Sequence, residues 1–396
     1  MINPITYWVN RNTSLALLFI VSIIASLSLI FLGFNIAVAI LIALTLYAFP
    51  SMGLDALRVI IDSFDARMLN TSLSLAFAMI LANLYRSLWI SGEITRSLES
   101  IGPRFASMAM PAIIGLLPMP AGAYVSATMI SPVYEKMGLT REEMTYLNYW
   151  FRHIWVVIWP LYQNIILASA ILGRSFIEII SHTWIIAFSS LIAGLITLSK
   201  TYKEMPGRGD RPYLAGLKHL WPFPLIATMS IVLNIPLYIV LLMAIALFVV
   251  IYRPSKDVLK NALKNSMDIT LIALVIVSLI FGNIIKASGV TDELVGYLSN
   301  YSTIAVFTIP FIIVLATGFE FTFVVLAFPA LMPILNDVNL TLAFLGGYTG
   351  AMVSPSHACL VMSARYFKAR LTRVYRYIAP SIALTIVITL SLLSLI

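Results

Sequence analysis

Arg152, His153, Glu320 and His357 are ionisable residues set deep in apolar sequence. Arg152 and His153 belong to NYWFRHIWVVIWPLYQN (148–164), Glu320 to ATGFEFT (316–322) and His357 to GGYTGAMVSPSHACLVMSARYF (346–367). In hydrocarbon such a group costs several kcal/mol unless it is paired or solvated, so each is a functional candidate. Arg152 could hold a carboxylate or phosphate through two parallel N–H bonds. His153, His357 and Glu320 could take up and release protons. The structural alternatives for Arg152 are an ion pair with Glu320 or a head reaching back to the membrane surface.

These residues lie beside breaks in the backbone. GLLPMPAGAYVSA (115–127) interrupts an apolar run with Pro118, Met119, Pro120, Ala121 and Gly122, and Thr317, Gly318, Glu320 and Thr322 form a second break. Irregular backbone at membrane depth is tolerated only where protein or a water-filled cavity covers it. Helix ends converging there would offer N–H groups to an anion or carbonyls to a cation. Pro160 and Pro355 fall inside two further helices, each removing a backbone hydrogen bond at about 3 kcal/mol. Asn148, Gln163 and Asn164 gather at the first, and Thr349, Ser354, Ser356 and His357 at the second. The expected substrate contacts are therefore Pro118 to Gly122, Asn148, Arg152, His153, Thr317, Gly318, Glu320, Thr322, Ser354, Ser356 and His357. A Na⁺ site is expected near Gly122, Asn164, Thr349 and Ser354. The competing explanations are a simple proline kink or two spans joined by a turn, and small polar residues bonding helix to helix. Gly346, Gly347 and Gly350 read as close-packing positions.

The elements that must position these groups follow from composition. Of 396 residues, 60% are hydrophobic and 11% charged, against about 25% charged in a soluble chain. Runs such as 15–30, 271–285 and 378–396 are apolar throughout and lack the alternation of barrel strands. The expected fold is an all-α polytopic membrane protein. No basic region followed by a cleavage site opens the chain, so the first helix is expected to be retained. The net charge of +8 reads as cytoplasmic loops, not as a nucleic-acid surface. The single cysteine, Cys359, excludes an intramolecular disulfide and a cysteine metal cluster.

The chain also repeats itself. SGEITRSLESIG (91–102) resembles SGVTDELVGYLSN (288–300), MPAIIGLLP (110–118) resembles IPFIIVLAT (309–317), and MGLT (137–140) resembles VNLT (338–341). Ser63-Phe64-Asp65 and Ser266-Met267-Asp268 precede the third apolar segment of each half. Matches in one order, about 200 residues apart, are a transporter signature. The expected repeats are 1–199, with a re-entrant hairpin at 105–133, and 217–396, with a hairpin at 303–333; 200–216 is a cytoplasmic linker. Each holds a helix pair (12–32 and 34–50; 217–235 and 236–252) and an amphipathic segment (51–66; 253–266). A third helix (69–90; 269–287) precedes the hairpin. An interrupted helix (144–172; 342–364) and a last helix (177–198; 378–396) follow it. Five spans per repeat require the second to be inverted. Basic residues then concentrate on one side, among them Arg253, Lys256, Lys260, Lys264, Arg365, Lys368, Arg370, Arg373 and Arg376. That side is expected to be cytoplasmic, with both termini outside the cell membrane.

GLLPMPAGAYVSA, NYWFRHIW…WPLY and SPSHACLV together resemble a family of uncharacterised prokaryotic membrane proteins, over nearly the whole chain. That family is similar in architecture to the ion transporter superfamily of citrate, gluconate, C4-dicarboxylate and arsenite carriers. The resemblance implies hairpins and broken helices in a mobile transport domain, dimerisation through the other helices, and an elevator motion coupled to Na⁺ or H⁺. It implies ligand contacts at 118–123, 317–322, 148–153 and 354–357. Dicarboxylate carriers use Ser-Asn-Thr hairpin tips, whereas Pro-Met-Pro-Ala-Gly here would contact a ligand through backbone.

The expectation is thus a secondary active transporter of a small anion, not an enzyme, working as a homodimer without a cofactor beyond a coupling ion. The alternatives are an amphiphilic or lipid-like anion as substrate, and an intramembrane hydrolase. The latter lacks a His-Glu-x-x-His or Gly-x-Ser-x-Gly motif. A channel would need a polar stripe and an ATP-driven pump a phosphate-binding loop; neither is evident.

Overall fold

The computed structural model describes residues 14–87, 90–118, 122–199, 212–266, 269–298 and 301–395. Met119, Pro120 and Ala121 of the first break, residues 200–211 of the linker, and Met267 and Asp268 lie outside the described residues. The described residues form helices and connections, without a strand.

The first half runs through α1 (Leu15–Phe31), α2 (Ile36–Met52), α3 (Asp55–Asp62), α4 (Ala66–Ser87) and α5 (Ile90–Ile101). It continues with α6 (Pro103–Gly115), α7 (Gly122–Lys136), α8 (Arg141–Arg152), α9 (Gln163–Leu172) and α10 (Phe176–Leu198). After a 3₁₀ turn (Ala215–Leu220) come α11 (Pro222–Ile226), a π-helical turn (Ala227–Val232), α12 (Leu237–Tyr252), α13 (Lys256–Ser266), α14 (Ile269–Ser288) and α15 (Val290–Leu298). The chain ends with α16 (Ser302–Thr317), α17 (Thr322–Leu326), α18 (Phe328–Leu331), α19 (Asp337–Val353), α20 (Ala358–Phe367) and α21 (Leu371–Leu393).

Local sequence explains many boundaries. Asn35 caps α2 through its side-chain oxygen. Thr140 with Glu143, and Ser175 with Glu178, close reciprocal capping boxes at α8 and α10, each satisfying otherwise orphaned N–H groups. Pro160 and Pro355 fall in the non-helical stretches that separate α8 from α9 and α19 from α20. Helices α4, α10, α14 and α21 are long and apolar enough to cross a membrane, while α1, α2, α9, α12 and α16 are apolar but shorter. Leu17, Val21 and Ile24 on α1 and Leu242, Val250 and Ile251 on α12 are exposed. Hydrocarbon tolerates such faces where water does not. The amphipathic segments are α3 and α13. On α13, Lys256, Lys260 and Lys264 are exposed while Ala262 and Ser266 are buried, the division of an interfacial helix.

The chain divides into two compact units, each drawing on both halves of the sequence. One comprises Met1–Leu75, Ile166–Arg174 and Asp268–Ala351. In it α1 and α2 pack on α14: Phe19 and Tyr47 meet edge-on at 5.9 Å, and Phe281 lies 6.3 Å from each. Asn283 donates to Ser63 at 2.9 Å. Carbonyls of α16 also touch α19: a Cβ on Gly346 would stand 2.1 Å from the Phe307 oxygen, and one on Gly350 2.5 Å from the Phe311 oxygen. These glycines therefore admit close backbone approach, as their spacing suggested.

The other unit comprises Ala76–Ile165, Ser175–Met267 and Met352–Ile396. Here Tyr85 of α4 stacks on Phe223 of α11 at 5.6 Å and contacts Phe248 of α12 at 5.1 Å. Asn83 donates to Ser266 at 2.8 Å. Helices α10 and α21 join through Thr197 and Ser381, whose hydroxyls are 2.7 Å apart.

Gly346→Ala and Gly350→Ala are expected to destabilise the purified protein by about 1–3 kcal/mol each, the usual cost of overpacking. Gly296→Ala, where an added Cβ meets nothing within 4 Å, leaves the melting temperature unchanged or slightly raised. Thermal unfolding in one detergent compares the three.

A pH dependence follows from the cap of α4. Asp65 accepts from the Met68 N–H at 2.8 Å and from Arg67 at 3.1 Å. Partial burial pushes its carboxyl up, but these bonds outweigh it and hold the group below the usual aspartate value. Its contribution is complete above the unfolded-state pKa and is lost as pH falls through the lowered folded value. Asp65→Asn is expected to flatten that acid-side loss in unfolding measured across the window.

Candidate functional site

The expected site residues fall into both units. One unit contains Thr317, Gly318, Glu320, Thr322 and Thr349; the other contains Pro118, Gly122, Asn148, Arg152, His153, Asn164, Ser354, Ser356 and His357.

In the first unit, α16 stops at Thr317 because Gly318 turns left-handed at φ +73°, its N–H returning to the Val314 carbonyl at 2.8 Å. A side chain with a Cβ would be strained there. The Thr317 and Thr322 hydroxyls lie 2.8 Å apart across the break, and Thr322 donates to the Phe319 carbonyl at 2.7 Å. Glu320 is half-buried at the turn. Thr349 donates to the Leu345 carbonyl of its own helix at 2.7 Å.

In the second unit, the α6–α7 break is closed on its carbonyl side. The last turn of α6 leaves carbonyls without helical partners. Trp155 Nε1 donates to Ala112 at 3.0 Å, Trp159 Nε1 to Leu116 at 2.8 Å, and the Tyr162 hydroxyl to Gly115 at 2.6 Å. All three donors come from the stretch between α8 and α9, itself broken at Pro160. The carbonyls freed there are bonded in turn: Val156 accepts from Asn164 at 3.0 Å and Val157 from Thr183 at 2.6 Å. The second break thus supplies partners to the first, and its own carbonyls are bonded from α9 and α10. Trp155, Trp159 and Tyr162 were not singled out from sequence, although an N–H or O–H on a buried aromatic ring generally seeks an acceptor.

The amide side is different. Arg152, the last residue of α8, is 4% exposed, and its Nη1 has no hydrogen-bond partner among the described residues. Its guanidinium lies against the first residue of α7. A Cβ on Gly122 would stand 2.1 Å from Nη2 and 2.7 Å from Cζ, while one on Gly115 would stand 2.3 Å from the Arg152 carbonyl oxygen. Glycine on both sides of the break is what lets the end of α8 approach. A helix N-terminus presents N–H groups and partial positive charge, and Gly122 is the first residue of α7. A cation and a positive helix end thus meet in a buried place, and an anion relieves both.

Asn148 fixes the surroundings. Its amide donates to the Ala123 carbonyl at 2.9 Å and to Ser363 at 2.8 Å, and its oxygen accepts from Ser126 at 2.7 Å. It ties α7 and α20 to α8. Ser354 and Ser356 pair at 2.9 Å in the α19–α20 break, where Ser354 is buried and Ser356 exposed. His153 and His357 meet through their Nε2 atoms at 3.2 Å. Cys359, given only an exclusion from sequence, lies beside them. Elsewhere in this unit a cavity of about 280 Å³ is lined by Ser131, Glu135, Arg141 and Lys368, a mixture of charges without the bare cation of the break.

Helices fit to span a membrane, apolar outer faces and breaks satisfied from within define a helical membrane-protein class. Within that class the chain belongs to the family described as "Protein of unknown function (DUF401)", whose model matches residues 11–396. No curated protein matches the chain.

Two glycine variants separate the site from the fold. Gly115→Ala drives a methyl into backbone and is expected to cost about 1–3 kcal/mol of stability. Gly122→Ala meets only the far end of the Arg152 side chain. It is expected to melt near wild type while abolishing stabilisation by added phosphate or citrate, read by thermal shift with and without each anion.

Proposed function

We propose that the protein is a secondary active transporter carrying a small anion across the cell membrane, coupled to Na⁺ or H⁺. The observation that carries this reading is the buried Arg152 guanidinium, which has no partner at Nη1 among the described residues and is pressed against the N-terminus of α7. A permanent buried charge costs several kcal/mol unless compensated. Pairing it with another positive end makes sense where a mobile anion supplies the compensation, as at half-helix ends in transporters.

Internal repetition supports the transporter class. Asn283 bonds Ser63 while Asn83 bonds Ser266. Phe19 and Tyr47 surround Phe281, while Phe223 and Phe248 surround Tyr85. In each case the first two helices or the amphipathic segment of one half meet the third helix of the other. Such reciprocity is expected of two repeats related by a two-fold axis. On this reading the repeats are inverted, the broken helices move as an elevator, the protein dimerises, and both termini face outside. The protein then moves its substrate unchanged, without covalent chemistry.

The test is uptake of a panel of carboxylates and oxyanions into proteoliposomes under imposed Na⁺ and H⁺ gradients. Wild type is expected to accumulate at least one anion in a gradient-dependent way, and Arg152→Gln to lose uptake by about tenfold or more, a charge-assisted contact being worth about 1.5–3 kcal/mol. The variant also separates a ligand anchor from a structural ion pair. Breaking a buried pair destabilises by about 3–5 kcal/mol. Removing an unpaired charge leaves the anion-free protein as stable as wild type or more so, while abolishing stabilisation by anion. Gradient-independent flux, or anion stabilisation surviving in Arg152→Gln, would sink the reading.

A further inference from the structure

We propose that His153, His357 and Cys359 form a binding site for a borderline-soft divalent transition-metal ion, for which Zn²⁺ is the probe. The site is separate from the anion reading and does not depend on it.

One ligand atom from each residue, two imidazole nitrogens and a thiol sulfur, lies within 4.8 Å of the others. Both histidines are 2% exposed. Their Nε2 atoms stand 3.2 Å apart. Two nitrogens bound at about 2.0–2.1 Å to a tetrahedral ion come within roughly 3.3–3.4 Å of each other, so the pair is already close to its ligating separation. His153 Nδ1 lies 2.6 Å from the Tyr149 carbonyl. A carbonyl can only accept, so that nitrogen carries the proton and Nε2 presents its lone pair. A metal-bound histidine is normally oriented in this way.

The scaffold is firm at these positions. His153 directly follows the last residue of α8, and His357 and Cys359 flank the first residue of α20, with His357 as its N-cap. Tyr149 packs against both imidazoles, at 4.7 Å and 5.5 Å.

Donor chemistry selects the ion. Na⁺, Mg²⁺ and Ca²⁺ prefer oxygen ligands, whereas two imidazoles and a thiolate suit Zn²⁺ and its neighbours. Binding forms one metal–sulfur and two metal–nitrogen bonds. The thiol proton leaves to solvent, and no electron changes hands. Three protein donors leave a fourth tetrahedral position for water or another small ligand.

The experiment uses the full-length protein in detergent, stripped with chelator and reloaded with Zn²⁺ or Co²⁺. Wild type is expected to hold one Zn²⁺ per chain by elemental mass spectrometry. Its Co²⁺ form should show tetrahedral d–d bands with thiolate-to-cobalt charge transfer. Cys359→Ser should lose the charge-transfer band, and both it and His357→Gln should bind at least about tenfold more weakly. Loss of a mere supporting group already costs about 10–100-fold. His182→Gln, outside the trio, should bind as wild type does. Should either ligand variant misfold, Zn²⁺ protection of Cys359 from alkylation in wild type gives a second readout. Substoichiometric metal in wild type, an unchanged cobalt spectrum in Cys359→Ser, or alkylation indifferent to Zn²⁺ would each overturn the assignment.

Discussion

Every interruption of a helix in apolar surroundings strands backbone N–H and C=O groups that must find partners inside the protein. That requirement governs the architecture around α6, α7, α8 and α9. Carbonyls at the end of α6 take their protons from Trp155, Trp159 and Tyr162. Those aromatic residues can reach them because they lie in a second interruption. Its carbonyls are covered by Asn164 and Thr183. The first break depends on the second for these donors, since each unsatisfied backbone group costs several kcal/mol in hydrocarbon. Together they form a non-helical core, and small residues complete it. Gly115 brings the two segments to backbone contact, and Gly194 lets Trp150 lie flush, a Cβ there meeting the indole nitrogen at 2.6 Å.

Much of this frame was legible from residue order. Prolines at 118, 160 and 355 marked real interruptions, whereas the capping boxes that start α8 and α10 were not read from the sequence. Lysines four residues apart marked the exposed face of α13. The prolines and lysines are local signals, fixed by covalent geometry or helical period. The segments 91–102 and 288–300 were read only as similar to each other; they form most of α5 and α15, whose short lengths give periodicity little room to show. The aromatic donors were missed because a tryptophan in an apolar run normally signals burial, and its acceptor lies 43 residues away. Cys359 was set aside for a related reason. Single-cysteine arithmetic rules out cysteine-only metal clusters, but a mixed site needs a histidine 204 residues from its mate, and no spacing rule covers that distance.

Asn148 is a candidate whose side chain is engaged within the protein. Its side chain reads as a polar group at a helix break, and it is buried there. Both amide atoms are engaged within the protein, by Ala123, Ser363 and Ser126. A saturated amide of this kind rigidifies. By anchoring the first turns of α7 to α8, it sets where the N–H groups of α7 stand relative to the end of the helix carrying Arg152. Geometry at the break is thus imposed by neutral hydrogen bonds and close packing, not by charge.

Against so much internal satisfaction, the few buried polar atoms left without partners gain weight, and they are not equal. Ser26, Ser189 and Thr389 each leave one neutral group without a partner among the described residues, a cost of about 1–3 kcal/mol apiece. Hydroxyl groups on helices can also rotate toward a nearby carbonyl. Arg152 is a different matter, because its charge cannot be neutralised by proton loss and its desolvation is costlier by several kcal/mol. The carbonyls of Ala112, Gly115 and Leu116 each receive an aromatic donor, whereas this guanidinium's Nη1 has no acceptor among the described residues. Gly122, with no Cβ, lets the guanidinium reach the N-terminal end of α7. The two sides of one break thus differ: aromatic donors close the carbonyl side, while the other side brings a buried cation against the first residue of α7.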